Sequence, residues 1–160
     1  MKNNKGQSIF EVLVAIAVIS SVLVALVGYV STALKNSTFS KNISNGTRFT
    51  EEAIEWLRSE RDASWVQFKA RAQASGTYCL STSPLSSSSW VSTGACAAAQ
   101  YIAGTIFRRQ VTFTCFVSPP TSTPCSNVAV TTIQAQVNTY FIDGQGTHNS
   151  SSTTYLTNWK

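Results

Sequence analysis

The chain opens on a block with almost no polar positions and closes on one with almost no charges. From Ile9 to Val30 the apolar run is broken only by Glu11, Ser20, Ser21, Gly28 and Tyr29. It covers about 22 residues, roughly 33 Å as an α-helix, which is enough to cross a hydrocarbon core of about 30 Å. A single segment can do this only as a helix, because each backbone amide must find its partner inside the segment. From Ser31 to Ser44 the chain turns polar, with Ala33, Leu34 and Phe39 as scattered apolar positions; helix can continue, and Asn45-Gly46 is the expected break. Beyond it Phe49, Ala53, Trp56 and Leu57 follow an i, i+4, i+7, i+8 spacing and make one apolar face. Glu52, Glu55, Arg58 and Asp62 fall off that face and read as solvated, with Arg58 and Asp62 spaced as an i, i+4 pair. Asp62-Ala63-Ser64-Trp65 is expected to end this helix and cap a second short one, Ser64 to Ala74, with Trp65, Phe68 and Ala72 on one side. Trp56, Trp65 and Phe68 read as core residues.

Gly76 begins a second regime, rich in Ser and Thr, whose only charges are Arg108, Arg109, Asp143 and Lys160. Period-2 patterning replaces the helical period. Thr77–Leu80 is a short strand candidate and residues 81–89 a flexible Ser-rich loop. Thr105–Val117 reads as a strand in which Val111, Phe113 and Cys115 alternate with Thr112, Thr114 and Phe116, stopped by Ser118-Pro119-Pro120. Val128–Ile142 contains the longest strand, with Ile133, Ala135, Val137 and Thr139 alternating with Gln134, Gln136 and Asn138. Asp143-Gly144-Gln145-Gly146 is a turn signal with two glycines available for positive φ. Thr147–Leu156 returns as the hairpin partner, its Ser150–Thr154 run suited to an edge. Tyr155, Leu156 and Trp159 are expected to fold back on the helix or sheet. Helix first and strands second makes an α+β protein: a long N-terminal helix on an antiparallel sheet of three to five strands.

Charge and cysteines place this architecture. The formal net charge is +5, a weak basic bias. Arg108-Arg109, read as an exposed pair, is the only adjacent basic pair in the Ser/Thr-rich half and too little for a nucleic-acid footprint. Lys2 and Lys5 ahead of the apolar run favour a cytoplasmic N-terminus, with the remainder outside. The four cysteines, Cys79, Cys96, Cys115 and Cys125, all fall in that exported part and form no C-x-x-C pair, so disulfides are expected. Three connectivities are possible; pairing in sequence order closes two short polar loops and is the one expected. Zinc is disfavoured because the one histidine, His148, lies far from every cysteine. His148 reads as an exposed turn residue and Asp143 as a turn former. No acid pair, nucleophile motif, phosphate loop or metal-binding helix motif is present, so neither enzymatic activity nor a cofactor is expected. Four Asn-x-Ser/Thr sequons, at Asn36, Asn42, Asn45 and Asn149, are chance products of a Ser/Thr-rich chain.

Glu11 is the feature a plain anchor does not explain. A carboxylate within a membrane helix costs roughly 2.5–3.5 kcal/mol on insertion scales. The run is also longer than the core of a cleavable signal peptide, about 7–15 residues, and no A-x-A-like site follows it. Lysine, then Gly6-Gln7-Ser8-Ile9-Phe10-Glu11, then an apolar helix, resembles the class III signal of type IV prepilins and related pseudopilins. The resemblance implies cleavage between Gly6 and Gln7 by a membrane prepilin peptidase, N-methylation of Gln7, and pairing of Glu11 with the N-terminal amine of a neighbouring subunit during filament assembly. The residue after the cut is commonly Phe or Met in that family; here it is Gln7. Many members carry a mid-helix proline where this chain has Gly28.

The implied organisation is a leader at 1–6, a transmembrane and assembly helix at 7–35, an exposed helical segment at 36–75 and a Ser/Thr-rich β domain with disulfide loops at 76–160. The expected function is that of a minor pilin-like structural subunit of a type IV pilus. A pseudopilin of a type II secretion or DNA-uptake machine is the alternative, and a membrane-anchored extracytoplasmic binding domain is the reading from another class. Expected partners are other pilin or pseudopilin subunits, the prepilin peptidase, the cytoplasmic membrane and a pilus assembly platform. The expected location is the cytoplasmic membrane in a single pass, then an extracellular filament.

Overall fold

A computed structural model describes residues 9–159. Helix α1 runs from Ile9 to Ala63, 55 residues without interruption. The chain divides into two compact units between Lys41 and Asn42, somewhat beyond the 35/36 change of composition. In the first unit every described residue from 9 to 38 is exposed within the chain. An apolar helix with no face turned inward finds its environment outside the chain. It is long and apolar enough to cross a membrane.

In the second unit α1 presents Gly46, Thr50, Ala53, Ile54 and Leu57 to a sheet. The expected break at Asn45-Gly46 does not occur. Gly46 is buried, with Phe107 and Ser150 beside it, and packing outweighs the roughly 1 kcal/mol that glycine costs in a helix. Thr50 satisfies its buried hydroxyl with the Gly46 carbonyl (3.0 Å) and the Thr139 hydroxyl (2.8 Å), pinning α1 to the sheet. Helix α2, Trp65–Ala74, starts where Ser64 takes an extended conformation and its hydroxyl accepts the Gln67 amide. Phe68 and Ala72 are its buried residues, and Trp65 packs partly buried beside them.

Six antiparallel strands follow, more than the three to five expected: β1 (Thr77–Cys79), β2 (Ser92–Thr93), β3 (Arg108–Ser118), β4 (Thr121–Thr123), β5 (Thr132–Asp143) and β6 (Gly146–Thr157). Their order is β2-β1-β3-β5-β6, with β4 paired to β3. β3 starts at Arg108 and β5 at Thr132, later than the hydrophobic runs suggest, because Ile102–Phe107 and Asn127–Val130 close turns instead. Residues 81–89 are not free loop throughout: a 3₁₀ turn, Ser87–Val91, buries Ser89 and Trp90. β5 and β6 form the hairpin, and of its two glycines only Gly146 takes a positive φ, at 132°.

The core lies between α1, α2 and the inner sheet face, around Tyr78, Trp90, Phe113 and Phe68. Trp90 lies 4.6 Å from Trp56 with the rings tilted by 40° and meets Tyr78 edge-on at 5.0 Å. Its indole N–H donates to Glu60 at 2.9 Å. Burial raises the Tyr78 pKa, and its hydroxyl donates to the Arg71 carbonyl.

Candidate functional site

The functional candidates lie in two separate places. In the first unit, Glu11 stands in the first turn of the described helix and is the one charged side chain between Ile9 and Leu34. Two hydroxyls on the same stretch are satisfied by the helix itself: Ser21 donates to the Val18 carbonyl (2.8 Å) and Thr32 to the Gly28 carbonyl (3.0 Å). Glu11 has no such local solution, and no side chain among the described residues pairs with it. Gly6 and Gln7, the expected processing pair, lie outside the described residues, as do Lys2 and Lys5.

In the second unit the four cysteines are bridged in sequence order, Cys79–Cys96 and Cys115–Cys125. The first ties β1 to the segment after β2; the second closes the β3–β4 turn and its exit. No group of His, Cys, Asp and Glu suited to a metal ion occurs among the described residues.

Arg109 overturns the reading of Arg108-Arg109 as an exposed basic pair. Neighbours on a strand point to opposite faces, and Arg109 is 0% exposed. Its guanidinium donates to the Phe49 carbonyl (2.8 Å), the Thr82 carbonyl (2.7 Å), the Leu80 carbonyl (3.4 Å) and the Glu52 carboxylate (3.0 Å). Burial pushes the Arg109 pKa down and the Glu52 charge pulls it back up. Glu52, read as solvated, also accepts from Ser83 and the Leu85 amide. One ion pair therefore joins α1, β3 and the 80–85 loop. Arg108 lies over the Tyr101 ring instead.

Two other charge readings are corrected. Arg58 pairs with Glu55, and Asp62 accepts from Arg61 at 2.8 Å. His148 is not an exposed turn residue: it is half-buried, lies 5.1 Å from the Phe141 ring and bonds Asp143 at 2.9 Å. Asp143 keeps its turn role, accepting the Gln145 amide at 2.7 Å. That bond, ahead of His148, holds its carboxyl below the usual range. Near the C-terminus all three expected contacts form: Leu156 is buried in the core, Tyr155 lies 6.3 Å from the Phe116 ring and Trp159 donates to Asp62 of α1 at 3.4 Å, the last two remaining mostly exposed.

Neither a curated protein nor a solved structure matches the chain. A family model does: the prokaryotic N-terminal methylation motif matches residues 1–27, which end inside the exposed apolar stretch of α1 and include Gly6, Gln7 and Glu11. That motif implies processing by a prepilin peptidase, and the long apolar helix followed by a helix-backed antiparallel sheet has the pilin-like layout. The chain thus carries the class III N-terminal signal of type IV pilins and pseudopilins.

Proposed function

We propose that this chain is a minor pilin-like structural subunit of a type IV pilus or related filament, and that assembly, not catalysis, is its activity. The observation that carries the reading is Glu11: the one carboxylate on the 9–38 stretch of α1, whose residues are all exposed, inside the methylation motif. Cleavage after Gly6 would create an ammonium at Gln7. An unpaired carboxylate and an unpaired ammonium are each costly in lipid, and pairing them between subunits offsets part of both costs. The leader lysines set the N-terminus in the cytoplasm and the disulfide-bearing unit outside. A minor pilin is favoured over a pseudopilin by the sparsely charged, hydroxyl-rich outer sheet face, which suits a subunit that presents a surface.

Glu11→Ala tests the pairing. The variant is expected to insert into the membrane normally and to be recovered in sheared filaments at a small fraction of the wild-type level. Equal recovery would remove the role assigned to Glu11.

A further inference from the structure

One end of the second unit, where α1 stops, carries a surface that neither the core nor the assembly helix uses. Two open cavities meet there at Thr157. The larger, about 590 Å³, has Phe116, Tyr155, Gln134 and Thr132 in its wall. The smaller, about 280 Å³, lies between Trp65 and Trp159 with Arg61, Asp62 and Asn158. Tyr155 is 57% exposed and Trp159 is 64% exposed. Phe116 and Tyr155 rings lie 6.3 Å apart. Large aromatic surface left in water at a concave site marks binding.

The chemistry of the walls selects the ligand. The only charges among the lining residues are Arg61 and Asp62, and they bond each other at 2.8 Å. The adjoining outer face of β3, β5 and β6 continues in kind. Across it Thr114 pairs with Gln134 and Gln134 with Tyr155, while Thr112 pairs with Gln136 and Gln136 with Thr153. Amides and hydroxyls donate and accept without charge, and rings offer flat apolar faces. Nucleic acid would need a basic surface that is missing here. A ligand that is itself neutral, with one apolar face and a rim of hydroxyls, fits both halves of the site. We propose that this groove binds a neutral oligosaccharide or polysaccharide, its sugar rings on Tyr155 and Trp159 and its hydroxyls on Gln134, Thr157 and Asn158. The site stands on the second unit alone and does not depend on the filament reading.

The test uses the full chain in a non-glycosidic detergent, since alkyl glycosides would compete. Cellohexaose, maltohexaose and hexameric N-acetylglucosamine are titrated while tryptophan fluorescence is followed, with heparin as a charged control. Saturable binding of at least one neutral hexamer, and none of heparin, is expected. Trp159→Ala and Tyr155→Ala should each weaken it about tenfold or more, the loss expected from truncating an anchoring aromatic. Tyr101→Ala, outside both cavities, should not. Unfolding midpoints equal to wild type would show that the variants fold. No binding of any neutral hexamer, heparin binding in their place, or affinities unchanged in folded Trp159→Ala and Tyr155→Ala, would overturn the assignment; the first is also the result expected if this end is an interface between subunits.

Discussion

Glu11 and Arg109 are both charges in apolar surroundings, and the chain treats them in opposite ways. Arg109 is enclosed by partners from two segments of its own unit, α1 and the stretch that follows β1. Glu11 sits on a helix that offers it nothing among the described residues. A buried charge with a complete hydrogen-bond set organises the fold around it; the filament reading proposed above gives the charge on the exposed apolar stretch its partner in another subunit. The second unit is finished by folding, whereas the first is finished only by its surroundings.

Removing Arg109 breaks this contrast most severely. Arg109→Met leaves the Glu52 carboxylate and three carbonyls without their donor, and should cost about 3–5 kcal/mol. Chemical unfolding of the full chain in detergent reads this through tryptophan fluorescence, since all four tryptophans lie in the second unit. Arg108→Met, one residue away on the outward face, should shift stability by less than about 0.5 kcal/mol. Similar losses from both would mean that Arg109 is not the organising charge.

Next come the covalent ties of the second unit. Opening Cys79–Cys96, with a separation of 17 residues, should cost about 3 kcal/mol, and opening Cys115–Cys125, with a separation of 10, slightly less. Cys→Ser double variants measured in the same way check both values, and free-thiol labelling of the folded wild type at any of the four would contradict the bridges. The smallest effect sharpens the packing of α1. A Cβ at Gly46 would lie 3.6 Å from Phe107, an ordinary contact, so Gly46→Ala should stabilise by about 0.5–1 kcal/mol by removing glycine's helix penalty. Destabilisation would show that the helix and sheet are closer than this.

What the sequence disclosed follows the same division. The length of the apolar run located the first half of α1 and residue type the Ser64 cap, while period located the second half of α1 and the β5 alternation of Ile133, Ala135 and Val137 with amides, because burial on one face enforces those patterns. Period also contained the signal for Arg109, in phase with Val111, Phe113 and Cys115, and for His148, in phase with Leu156. Residue type overrode phase there: arginine and histidine read as solvent-facing although their positions pointed inward. The pairing of Arg109 with Glu52 across 57 positions could not be read locally, nor could the continuity of α1 through Asn45-Gly46, where tertiary packing decides. Glu11 was legible for the converse reason. Its significance lies in its offset from Gly6, which is a property of the linear chain.

The most direct test of the account is the mass of the N-terminal peptide of the protein expressed in its own host. The account predicts a peptide that begins at Gln7 and carries an N-methyl group. A peptide that still begins at Met1 would contradict it, leaving Glu11 in the membrane helix without the ammonium it is held to pair with.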